Sequence, residues 1–329
     1  MNKTSIVTIK KSLKAFTTGL IDYAGLFPPA KLKLEDACRN YLNYINGDHK
    51  FMLSKFICPV TLFSELEKLI PGTFPDTNDF HISAIGRSAD NSNDFNKLFD
   101  DDIVSWKKFN SGVKEKIKVT SFEVKIPLEI VSTNDPKHIA IFLDNISSRI
   151  RNQISQPVML FIEGSSGNNR KDNLRSLING IEIHDQKIFD TGFKLRTGGT
   201  EAGAFPSPEH IAFSIRQCLD RKVPMKFTAG LHHPFPLYDK SIGVRMYGFI
   251  NVFAAGIIAM RHNISDAGIE ELLNDNNASN FIFTDEYFSW KDWNIGIADI
   301  EYARKALVLS FGSCSFDEPV DDLKALNLF

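Results

Sequence analysis

Short apolar runs rich in β-branched and aromatic residues recur along this chain, and helical patterns separate them. This alternation is the strongest constraint on the fold, because a strand followed by a helix that crosses back lays down a parallel sheet. The runs fall at residues 51–57, 80–85, 119–126, 157–162, 192–196, 224–228, 281–283 and 306–311. Helices are expected between them at 61–69, 95–109, 135–150, 174–183 and 207–220, the last with Ser207 as its cap and Pro208 in its first turn. Eight strand–helix units close into a (β/α)8 TIM barrel, and 329 residues suffice for one. An open doubly wound parallel sheet is the alternative. On this reading residues 1–50 form a short N-terminal extension capping the barrel, and residues 51–329 form the barrel domain. The most apolar stretch, 248–260, is interrupted by Asn251 and is too short to span a bilayer. It reads as a buried helix, or else as a buried strand in place of 281–283; residues 281–293 read in part as a hairpin or lid.

Charge narrows the partners. The formal net charge is −2, so there is no electrostatic footprint for nucleic acid or for an anionic membrane. A small molecule is the expected partner. Four widely spaced cysteines form no CxxC pair, which argues for reduced thiols. With no apolar run in residues 1–20 long enough for a signal peptide, a cytoplasmic protein is expected. Phe is abundant at 27 residues; most should lie in the core, and some could cover a face between subunits of a homo-oligomer.

The chemistry is suggested by where charge interrupts the strands. A Lys or Glu in a buried strand has a desolvation cost and needs a reason. Lys55, Glu123, Lys125, Glu163, Lys194, Arg196 and Lys226 all sit in strand runs. Lys194 and Arg196 are two apart and share a face, as do Glu123 and Lys125. Lys194 leads into Thr197, Gly198 and Gly199, and Lys226 into Thr228, Ala229 and Gly230. Small residues after a strand let a substrate approach the backbone, whose amides can bind an anion. Two lysines in one mouth disfavour each other's charged form, and burial adds to this. The expected result is a neutral amine able to form a Schiff base.

These strand ends resemble class I deoxyribose-phosphate aldolases. Lys194, Thr197 and Gly198 match the K-x-x-T-G strand end of that family, and Lys226, Thr228, Ala229 and Gly230 are similar to its K-x-[ST]-[GA]-G strand. Phe311, Gly312 and Ser313 look like its F-G-x-S phosphate turn, offset in the hydroxyl. The resemblance implies a barrel without a metal, in which Lys194 is the nucleophile and Lys226 perturbs it. It implies a carboxylate on an earlier strand, assigned by strand position to Glu123, with Glu163 as the second choice. The strand count puts the lysines on the fifth and sixth strands, one earlier than in those aldolases. Taken whole, the chain looks more like an uncharacterised bacterial group sharing K-x-R-T-G-G, K-x-T-A-G-L-H-H-P and F-G-S-C-S-F-x-E-P segments.

The remaining candidates are rim residues. Arg196 can grip a carboxylate or phosphate with two parallel hydrogen bonds. Gly312, Ser313 and Ser315 could cradle the same anion. His232 and His233 read as substrate contacts, as general bases, or as metal ligands with Glu123, Glu163 or Asp285. Cys314 is a weaker candidate nucleophile. The loop from Asp22 to Pro29 is expected over the barrel mouth or packed as a cap, and Asp100, Asp101 and Asp102 as a solvated turn. The expectation is therefore a barrel enzyme acting on a small anionic carbonyl or sugar-phosphate-like substrate, an aldolase-like carbon–carbon lyase, with no cofactor. A metal-assisted isomerase or hydrolase, or a non-catalytic anion-binding module, are the alternatives.

Overall fold

The computed structural model describes residues 9–73, 79–164, 171–184 and 190–329. Eight parallel strands close into a barrel: β1 (Ile21–Tyr23), β2 (Leu53–Pro59), β3 (Phe80–Ile85), β4 (Ile117–Lys125), β5 (Met159–Glu163), β6 (Thr191–Arg196), β7 (Met225–Thr228) and β8 (Val308–Ser313). Each strand pairs with the next, and β8 closes on β1 through Ile21 opposite Phe311 and Tyr23 opposite Ser313. The fold is therefore an α/β TIM barrel rather than an open sheet.

One stave differs from the sequence reading. β1 comes from within residues 1–50, so that segment is not merely a cap: it supplies a strand between β8 and β2. The run at 281–283 is a strand, but it joins Tyr287–Trp290 and Trp293–Gly296 in a separate antiparallel sheet outside the barrel. The hairpin reading of 281–293 fits that sheet. With β1 counted, Lys194 lies on the sixth strand and Lys226 on the seventh.

The apolar stretch near 250 is the helix Phe249–His262, with every residue from Phe249 to Ala259 buried. Its interruption has a use. Asn251 donates from Nδ2 to the carbonyls of Leu272 and Asp275, 2.7 Å each, satisfying the C-terminal end of the next helix. Aromatic pairs fill the layer between barrel and helices: Trp106 stacks on Phe122, Phe249 on Phe311, and Phe253 meets Phe227 edge-on. Ser207 caps the helix Pro208–Asp220 by accepting from the His210 amide. Asp100, Asp101 and Asp102 are not a turn but part of the helix Ser92–Gly112. Asp102 is buried there and accepts from the Arg87 amide and Nε, 2.7 Å each. Among the described residues, no helix is long and apolar enough to cross a membrane. All four cysteines are buried free thiols.

Candidate active site

Barrel lumens are ordinarily packed with branched apolar side chains. This one holds Asp22, Ser83, Ser121, Glu123, Glu163, Lys194, Lys226 and Ser310, all buried. The strand register explains the gathering. Lys194 is directly opposite Lys226 on β7 and opposite Glu163 on β5. Residues level on adjacent staves and of the same parity point into the same space.

The charges alternate. Lys194 Nζ lies 2.7 Å from Glu123 Oε2 and 2.8 Å from Glu163 Oε2. Lys226 Nζ donates to the other oxygen of Glu123 at 2.7 Å and to Asp22 Oδ2 at 2.6 Å. Ser83 donates to Glu123 Oε1 at 2.5 Å and is itself held by Ser121 at 2.7 Å. Ser310 donates to Asp22 Oδ2 at 2.7 Å, and the Lys55 amide reaches Asp22 Oδ1 at 3.2 Å. The ladder ends above at Arg196, whose Nε is 3.4 Å from Glu163. Lys226 also lies 5.1 Å from the centre of the Phe161 ring.

This pairing corrects the expected neutral amine. Burial alone would lower Lys194, but Glu123 and Glu163 override it and raise the ammonium above its ordinary range. Burial likewise opposes Lys226, and Asp22 and Glu123 raise it. Glu123 stands between the two ammoniums, so Lys226 is not the depressing neighbour that the sequence suggested. The carboxylates answer in kind. Burial would push Glu123 up, yet Lys194 and Lys226 hold it well below the usual carboxylate range. Asp22 and Glu163 are lowered by the same opposition of burial and neighbouring cations. The sequence reading reaches Asp22 only as the first residue of the loop to Pro29. Its signal was available: Ile21-Asp22-Tyr23 repeats the apolar–charged–apolar pattern of Phe193-Lys194-Leu195 and Met225-Lys226-Phe227.

Above the ladder, a cavity of about 680 Å³ opens at the C-terminal ends of the strands. Lys194 and Arg196 line it, while Lys226 is fully buried and is not among its lining residues. Gly199, Thr200, Thr228 and Gly230 form one wall; Phe27, Pro28 and Pro29 of the early loop form another. Asp239, Ser241 and Ile242, from the hairpin Leu237–Asp239 and Val244–Met246, reach over the opening. His232 and His233 face it from the β7 side, where Nδ1 of His232 lies 3.0 Å from Glu318 and Nδ1 of His233 lies 2.7 Å from Asp322.

Several rim residues serve the loops instead. Thr197 is fully buried; its amide donates to Thr228 O and its hydroxyl to Ala229 O. Gly198 meets Gly230 so closely that an added Cβ would stand 2.7 Å from the Gly230 Cα. The glycine pair thus locks the β6 and β7 loops together. Ser313 donates to Ser315 O at 2.6 Å, and Ser315 Oγ accepts from the Glu318 amide at 3.1 Å. Both serine hydroxyls hold the turn, and Gly312 and Cys314 are the turn residues that line the cavity. Burial raises the Cys314 thiol, which disfavours the thiolate. Among the described residues no group of three or more His, Cys, Asp and Glu side chains has the geometry to hold a metal ion.

Two other hollows are distinct. A recess of about 90 Å³ on the barrel flank shares Lys194 and Arg196. A cavity of about 550 Å³ lies at the opposite pole and is lined by Lys55, Arg304 and Lys305. Arg304 is occupied there: its guanidinium donates to the carbonyls of Phe16, Thr18, Val308 and Leu309. The upper cavity joins the strand ends to the ladder, so it is the candidate site. No protein-family model matches the chain, and no curated protein matches it.

Proposed function

We propose that this barrel is an enzyme acting on a small anionic carbonyl compound through an imine at Lys194, as in the aldolases its strand ends resemble. One observation carries the reading: Lys194 is a nearly buried amine at the floor of an open cavity, with two carboxylates within 2.8 Å to take its proton. Glu163 is the acceptor, because Glu123 is already held by Lys226 and Ser83. Transfer converts an ion pair into a neutral amine and a neutral acid, a change that a dry site tolerates better than an isolated charge. The amine adds to the substrate carbonyl, Glu163 returns its proton to the departing hydroxyl, and loss of water leaves the protonated imine, an iminium. Lys226 keeps Glu123 and Asp22 ionised and in place. Arg196 offers its outer guanidinium edge to the substrate's carboxylate or phosphate. The lysines' position on the sixth and seventh strands removes the one-strand offset from the aldolase pattern.

Borohydride reduction in the presence of a panel of aldehydes and keto acids, followed by mass mapping, tests this. An adduct on Lys194, absent in Lys194→Met, is expected. An empty result across the panel would remove the imine. A second reading has its own support, since both ammoniums are raised and fully matched. In that reading the lysines supply charge alone, and the bound anion is returned unchanged.

A further inference from the structure

We propose that His232, oriented by Glu318, is the general acid–base of this cavity and moves the proton at the carbon beside the substrate carbonyl. This rests on the imine reading above for the role of Lys194, and it adds the group that reading lacks. An imine activates the neighbouring C–H bond but does not remove its proton; a base with an unoccupied lone pair must do so.

The lumen carboxylates are poorly suited. Asp22 and Glu123 are matched to Lys226 and lowered, which makes each a weak base, and Glu163 is committed to the proton transfers at Lys194. Of the other titratable groups on the cavity wall, the Arg196 guanidinium offers donors and no basic lone pair, the Cys314 thiol is pushed up by burial, Asp239 is engaged by the amide and hydroxyl of Ser241, and Glu318 is held below its usual range by the hydrogen bond to His232. Two imidazoles remain. His233 has Nδ1 on Asp322 and Nε2 4.0 Å from Glu318, so both its nitrogens face carboxylates. His232 has Nδ1 on Glu318, and its Nε2 has no partner among the described residues. A ring that lines a cavity and is held at one nitrogen by a carboxylate, with the other nitrogen unpartnered, is the arrangement that fixes a tautomer and stabilises the imidazolium once it forms. Glu318 is in the first turn of the helix Asp317–Ala325, just after β8, and His232 lies in the loop that follows β7.

The step balances without a co-reactant. His232 Nε2 takes the proton, the C–H electron pair becomes the enamine double bond, and the iminium nitrogen accepts the displaced π pair. Return of the proton from His232 to the carbon restores the iminium.

The test is hydrogen–deuterium exchange at that carbon, followed by NMR in D2O, with the same carbonyl panel and parallel borohydride trapping. In His232→Gln, trapping at Lys194 should persist while exchange falls about 100-fold or more. Exchange that depends on His232 without any trapped adduct would remove the imine and keep the base. Exchange that is absent in the wild type, or unchanged in His232→Gln, would overturn the base.

Discussion

The two faces of the barrel wall obey different rules. Outward, towards the helices, the strands present Phe122, Phe227, Phe311 and their neighbours to a continuous apolar layer. Inward, the same strands present a ladder of charges and hydroxyls. The outer layer stabilises the fold through area removed from water, at roughly 25 cal/mol per Å². The ladder does not stabilise it in that way. Desolvating an ion costs several kcal/mol, and pairing often only recovers the loss. A lumen filled with valine and isoleucine would serve the fold as well. The difference teaches that the outer face sustains the fold, while the inner face carries buried charge that the fold itself does not need.

The sharpest break in the comparison is acid. Asp22, Glu123 and Glu163 are lowered in the folded state, whereas unfolded carboxyls titrate near about 4. Below that pH the unfolded chain binds more protons, so stability present above about pH 4 is lost as pH falls through the folded values. Lys194 and Lys226, being raised, contribute stability up to about pH 10 and lose it only above that. Urea midpoints measured from pH 7 to pH 3 should fall steeply at the acid end. A flat series would mean that the ladder is energetically silent.

Next in size is Lys226→Met, which leaves buried Asp22 without its ammonium and Glu123 with Lys194 alone, and should cost about 3–5 kcal/mol. Adding Asp22→Asn and Glu123→Gln should recover most of this, since the unmatched charge is then gone. Failure of the triple variant to recover would show that the lumen depends on shape rather than on charge balance. In the outer layer, Ile257→Val should cost about 1 kcal/mol, with no change in the pH profile. Smallest for stability is Arg196→Met at the half-open rim, within about 0.5 kcal/mol by thermal melting. The same variant should weaken inorganic phosphate by about tenfold in calorimetry. Unchanged phosphate affinity would take Arg196 out of the anion site.

The outer face was legible in the sequence and the inner face only partly so. Seven of the eight staves announced themselves as apolar runs long enough to register. β1 did not, because it has three residues and the middle one is Asp22. Glu123, Glu163, Lys194 and Lys226 stood out as charges within strands, yet their partners depend on register across the sheet, which no local pattern carries. Hence the expected neutral amine gave way to two matched ammoniums. Thr197, Ser313 and Ser315 show the same limit: residue type suggests an anion cradle, but a hydroxyl can equally close a turn, and only geometry decides.

β1 meets β8, and Asp22 finds Lys226 across 204 positions and Ser310 across 288. On a ribosome adding about 5–20 residues each second, the earliest stave would wait many seconds for its last neighbour. Until then the acid and amine remain hydrated, and no desolvation cost falls due. The cost arises in a single late event, when the ring shuts and both counter-charges are already at hand. Conditions that trap the nascent chain just short of that event should leave a sheet with two raw edges, the species most prone to aggregate.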